Sequence, residues 1–90
     1  MHYVYVLYSR KHDRYYIGES SDLKRRLSEH NSGQSFSTKP YTPWEVVYYE
    51  AYPSKQSAVN REKKLKHHGK GLAEIKKRIN LDEWMKGAGD

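Results

Sequence analysis

The chain lacks cysteine entirely, which excludes disulfide scaffolds, thiol nucleophiles and cysteine-ligated zinc and leaves a reducing compartment open to it. No apolar run approaches the roughly 18 residues of a membrane span, and Met1 leads into His2, Tyr3 and Val4 without the pattern of a secretory leader. A cytoplasmic location is therefore expected. HExxH, GxSxG and a pair of inward-facing acids are also missing, which speaks against a zinc protease, a serine hydrolase and a carboxylate-rich two-metal nuclease. Gly69-Lys70-Gly71 lacks the spacing of a phosphate-binding loop and reads as a helix break.

Aliphatic residues are scarce as well: Leu, Ile, Val and Phe number only 15 in 90, a level associated with disorder. Nine tyrosines and two tryptophans offset the shortage, because each aromatic side chain buries roughly 150–250 Å². The length allows one core and no second domain. The charge is lopsided, with 17 Lys and Arg against 11 Asp and Glu and a net charge of +6. That balance favours a polyanionic partner, nucleic acid first.

Residues 2–8 are β-branched or aromatic on both alternating faces, which predicts a central strand covered on both sides. A polar break from Ser9 to Arg14 separates it from a second short strand, Tyr15 to Gly18, and a third strand runs from Trp44 to Tyr52, between Pro43 and Pro53. Ser21-Asp22 caps a helix that reaches about Asn31, where Asn31-Ser32-Gly33 stops it. Ser54 or Ser57 caps another, ending before Gly69, and a last amphipathic stretch places Leu72, Ile75 and Ile79 on one side. The reading is an α+β domain over residues 1–84 in the order β-β-α-β-α-α, with a frayed tail at 85–90. Phe36-Ser37-Thr38-Lys39 falls in a polar connection that is either mobile or a substrate holder, and composition does not separate the two.

Projecting the first helix at about 100° per residue puts Leu23, Leu27 and His30 on one stripe with Arg26 at its margin, while Lys24 and Arg25 point to solvent. An arginine beside a core stripe is either paired or faces a cleft, since an unmatched buried charge costs several kcal/mol. Facing a cleft, it would hold a phosphate with its forked donors. In the later helix Ala58, Arg61, Glu62 and Leu65 follow the i, i+3, i+4, i+7 pattern, so Glu62 lies inward as a salt-bridge partner, a metal ligand or a base. Tyr5 and Tyr16 fall on adjacent strands and can share one pocket. His67 and His68 would diverge on a helix and, like His2 and His12, make poor metal ligands.

Taken in order, several segments resemble the GIY-YIG nuclease superfamily, and specifically its small single-domain bacterial subgroup. Tyr3-Val4-Tyr5 stands where the first name-giving triplet belongs, Tyr16-Ile17-Gly18 matches the second, and the run from Asp22 to His30 is similar to the family's helical Arg…His motif. Ser37-Thr38-Lys39, Pro43-Trp44-Glu45 and Arg61 to Lys66 look like that subgroup too, and the likeness covers about residues 2–80. It implies a small, mainly antiparallel three-stranded sheet flanked by helices, and metal-dependent hydrolysis of phosphodiester bonds. It further implies catalytic roles for Tyr5, Tyr16, Arg26 and His30, and a Mg²⁺ or Mn²⁺ ligand in Glu62. Two positions depart from the pattern: Tyr3 replaces the first glycine, and Glu19 stands where the DNA-repair members carry Lys.

The expected function is a metal-dependent endonuclease acting on DNA, structure-selective because so short a chain has no appended recognition domain. A non-catalytic nucleic-acid binder, an RNA-processing nuclease and a partner-binding module with ordinary salt bridges are the alternatives.

Overall fold

Eight residues with apolar groups on both faces form β1 (His2–Ser9), and a computed structural model, which describes residues 1–67 and 69–79, places this strand in the middle of the sheet. β2 (Arg14–Ser20) and β3 (Glu45–Tyr52) flank it in the order β2-β1-β3, both antiparallel to it. Between them lie α1 (Leu23–Asn31) and a 3₁₀ turn at Lys39–Tyr41; α2 (Lys55–His67) and α3 (Gly69–Arg78) follow. The order expected from the sequence is the order observed. His68, the end of the expected domain near residue 84 and the expected tail at 85–90 lie outside the described residues.

Three boundaries differ, each for a tertiary reason. β2 runs from Arg14 to Ser20 rather than over 15–18, because β1 offers ladder partners from Ser9 opposite Arg14 to Tyr3 opposite Ser20. β3 starts one residue late: Trp44 is buried instead, its backbone N–H donating to Asn31 Oδ1 at 2.6 Å. The Gly69-Lys70-Gly71 segment does divide two helices, but it forms the first turn of α3. A Cβ on Gly71 would come within 2.8 Å of Leu65 Cδ2, so the bare backbone lets the two helices close on each other.

The two faces of β1 build two cores. Val4 and Val6 join Ile17, Ala58, Leu65 and Ile75 under α2 and α3. Tyr5 and Leu7 join Trp44 under α1, with Leu23 and Leu27 packed on them. Asp22 caps α1 by accepting the Arg25 N–H at 3.0 Å, and Ser54 does the same for Ser57 at 3.2 Å. α2 is held against β3 by Glu50, which accepts both phenols of Tyr48 and Tyr52 at 2.6 Å and the fork of Arg61 at 2.9 and 3.2 Å. Because Arg61 is drawn to β3, Glu62, on the other side of the same helical stripe, turns toward β2. No helix among the described residues is long and apolar enough to cross a membrane.

Candidate active site

The hairpin register decides which tyrosines meet. Tyr5 lies opposite Gly18 and Tyr16 opposite Leu7, so the two phenols are diagonal neighbours on the α1 face, their ring centroids 6.4 Å apart. The Tyr5 ring lies directly over Gly18, where an added Cβ would collide with its hydroxyl and stand 2.5 Å from Cζ. The glycine of the second triplet is therefore required by close approach, not by a turn. Strand alternation sends Glu19 to the opposite face, toward α2.

α1 delivers His30 and Arg26 to the same spot. His30 is fully buried; its Nε2 is 3.0 Å from Tyr5 Oη, its Nδ1 is 2.8 Å from Thr38 Oγ1, and its ring is 4.9 Å from that of Tyr16. Arg26 is 31% exposed and donates to Glu29 at 3.0 Å, and its charge acts on the Tyr5 hydroxyl. Arg25, by contrast, points outward as its position on the helix predicts, with its side chain 63% exposed.

Burial dominates the electrostatics. Loss of water, and then the Arg26 charge, push His30 down to about 4, so its ring is neutral at pH 7. Burial, with the Tyr16 phenol adding to it, pushes Tyr5 up to about 12 against the opposing pull of Arg26. Tyr5 therefore keeps its proton. Tyr16 stays partly exposed, and Lys66 reaches round the β2 edge to sit 5.7 Å over its ring.

Glu62 stands at the margin of this cluster. Its side chain is 21% exposed, its charge acts on Tyr5, and Lys66 bridges it at 3.3 Å. An i,i+4 pair with that much solvent is worth only about 0.3–0.5 kcal/mol, so it gives way easily to a stronger cation. Among the described residues no group of three or more His, Cys, Asp or Glu side chains is arranged to hold a metal. A single carboxylate suits a magnesium-like ion that takes its remaining oxygens from water and substrate phosphate.

The sequence-predicted residues are thus partly assembled: Tyr5, Tyr16 and His30 touch one another, Arg26 stands close enough for its charge to act on Tyr5 and His30, and Glu62 joins them at the rim. Thr38 is the residue that pattern reading missed. It is 1% exposed, with its carbonyl held by Trp44 Nε1 at 3.0 Å. The only signal for it was its place in the Ser37-Thr38-Lys39 segment. An open groove of about 530 Å³, lined by Tyr3, Leu23, Lys24, Leu27, Val46 and Tyr49 among others, lies on the β3 flank of α1, away from Tyr16 and Arg26.

Compared with known proteins, residues 1–80 match the family model described as the GIY-YIG catalytic domain. The UPF0213 protein NP_0776A of Natronomonas pharaonis is 39% identical over 84 residues, which span 91% of this chain and 93% of that protein. A UPF0213 protein of Streptococcus pneumoniae is 36% identical over 84 residues, spanning 92% and 76%. The solution NMR structure of the UPF0213 protein BH0048 from Bacillus halodurans is similar with a TM-score of 0.54 and 30% identity, covering 88% of this chain and 86% of that one.

Proposed function

Because the chain belongs to the GIY-YIG catalytic domain family, a nuclease superfamily, we propose that it is a divalent-metal-dependent endonuclease that hydrolyses phosphodiester bonds in DNA and selects targets by structure. The observation that carries this reading is the pairing of a buried scaffold with two open groups. Tyr5 and His30 are sealed from solvent, while the Arg26 guanidinium and the Tyr16 phenol they support remain accessible at the surface.

Division of labour follows from that burial. Arg26 holds a non-bridging phosphate oxygen and offsets the charge that grows there, a contribution of about 3 kcal/mol when one such donor is removed. Tyr16 meets the attacking water and orients it. Tyr5 and His30 act through Arg26 and are positioning residues rather than groups that touch substrate. Glu62 would hold the Mg²⁺ or Mn²⁺ ion, which when bound supplies positive charge to the phosphate and the leaving oxygen. Lys24 and Arg25, on the solvent side of α1, track the backbone without reading bases.

The test is cleavage of branched, flapped, nicked and single-stranded DNA, and the RNA counterparts, with Mg²⁺, with Mn²⁺ and with chelator. Wild type cuts at least one DNA structure only with metal; Arg26→Ala and Glu62→Ala lose about 100-fold or more, and Tyr16→Phe is impaired while still folded. A wild type inert on every substrate, or undiminished cutting by Glu62→Ala, removes the basis of the proposal. Preference for the RNA panel transfers it to RNA processing, and salt-sensitive binding without cleavage leaves a binding module.

A further inference from the structure

Beside Arg26 a line of buried polar contacts runs from Tyr5 to the backbone. Tyr5 Oη is 3.0 Å from His30 Nε2, His30 Nδ1 is 2.8 Å from Thr38 Oγ1, and Thr38 Oγ1 reaches the Ser35 carbonyl at 3.4 Å. The backbone end has a fixed polarity, since a carbonyl only accepts.

Counting protons along the line selects one arrangement. With the imidazole proton on Nδ1, Tyr5 donates to Nε2, Nδ1–H to Thr38, and Thr38 to Ser35, so every donor has an acceptor. With the proton on Nε2, the Tyr5 oxygen would receive His30, and its own O–H would find no acceptor among the described residues. Leaving a buried donor unmatched is costly, so the Nδ1-protonated form predominates at equilibrium. Aligned donors also polarise one another, which strengthens the whole line.

We propose that Thr38 is a positioning residue: by accepting the Nδ1–H of His30 it fixes the imidazole tautomer whose Nε2 accepts the Tyr5 O–H hydrogen bond, which leaves the Tyr5 oxygen's lone pairs to face Arg26. The threonine is well placed for the task. Its carbonyl is pinned by Trp44 and its N–H bonds Ser35 at 3.2 Å, so its hydroxyl can be removed without releasing the backbone. Only the part of this inference that concerns cleavage rests on the nuclease reading; the tautomer stands apart from it.

The tautomer is read directly from two-bond ¹H–¹⁵N spectra of the ¹⁵N-labelled full chain at pH 7. Wild type and Thr38→Ser carry the His30 proton on Nδ1, and Thr38→Val shifts it to Nε2. On the substrate that wild type cuts, Thr38→Val loses roughly tenfold in kcat with KM little changed, as loss of one buried hydrogen bond behind a transition-state donor requires, and Thr38→Ser restores the rate. An Nε2-protonated His30 in wild type overturns the inference, as does a Thr38→Val protein with an unmoved tautomer or an unimpaired kcat. Should Thr38→Val fail to fold, the wild-type spectrum still decides. A wild type that cleaves nothing sinks the nuclease reading and leaves the spectral result standing.

Discussion

At the scale of single residues, the chemistry of the cluster is set by which groups are denied water. His30 carries no exposed surface and titrates near pH 4, below the ordinary histidine value of 6.5, first because of burial and then because of Arg26. The folded state therefore refuses a proton that the unfolded chain accepts, and the stability this confers is complete above pH 6.5 and drains away as the pH falls through 4. Urea midpoints should show a loss of about 2 kcal/mol by pH 5 and roughly 3 kcal/mol near pH 4. The near-isosteric His30→Gln, which cannot titrate, should flatten that slope; an equally steep acid limb in the variant would assign it to other groups. The placement of Arg26 and Glu62 on their helices was legible because helical projection needs nothing beyond spacing. The role of Thr38 was not, since a polar loop residue looks the same in sequence whether it faces water or a buried imidazole.

At the scale of elements, the question is what holds α2 in the rotation that sends Glu62 to the β2 edge. The clamp is Glu50 on β3, with Arg61 gripping it in bidentate fashion. Burial alone would raise this carboxyl, but the Arg61 fork and the two phenols override it and hold Glu50 near 2 against an ordinary 4.5. The clamp's contribution is present above pH 4.5 and is lost as the pH falls from there toward 2, so it overlaps the acid limb assigned to His30 only at the low-pH end of that limb. Arg61→Ala should destabilise by about 1–3 kcal/mol, the cost of losing charge-assisted bonds to a largely buried acid, and should start acid unfolding at higher pH. Equal acid midpoints for variant and wild type would mean that the phenols suffice. The amphipathic pattern of α2 was visible in the sequence. The identity of Arg61's partner was not, because it lies eleven residues back on a strand whose register nothing local reveals.

At the scale of the whole molecule, a net charge of +6 is a statement about association. Duplex affinity should fall by roughly 10- to 150-fold between about 50 and 200 mM salt if two to four phosphates are neutralised, and fluorescence anisotropy across that range measures it. A flat profile would place the basic residues outside any nucleic-acid interface. The pairing of Glu62 with Lys66 leaves the carboxylate reachable from solvent: both side chains stay partly exposed, and an i,i+4 tie of this kind is weak.

Spacing and side-chain type were enough to determine the element order, the central position of β1 and the stripes that set Arg26 and Glu62 apart, because hydrophobic periodicity is a local property of the chain. Tertiary structure alone decided that Tyr5 and His30 are sealed while Tyr16 and Arg26 stay partly open, that Gly18 makes room for a ring, and that Thr38 meets the buried His30. Those outcomes depend on strand register and on a loop folding back over α1. Both are fixed by contacts between residues far apart in sequence, and no local pattern encodes them.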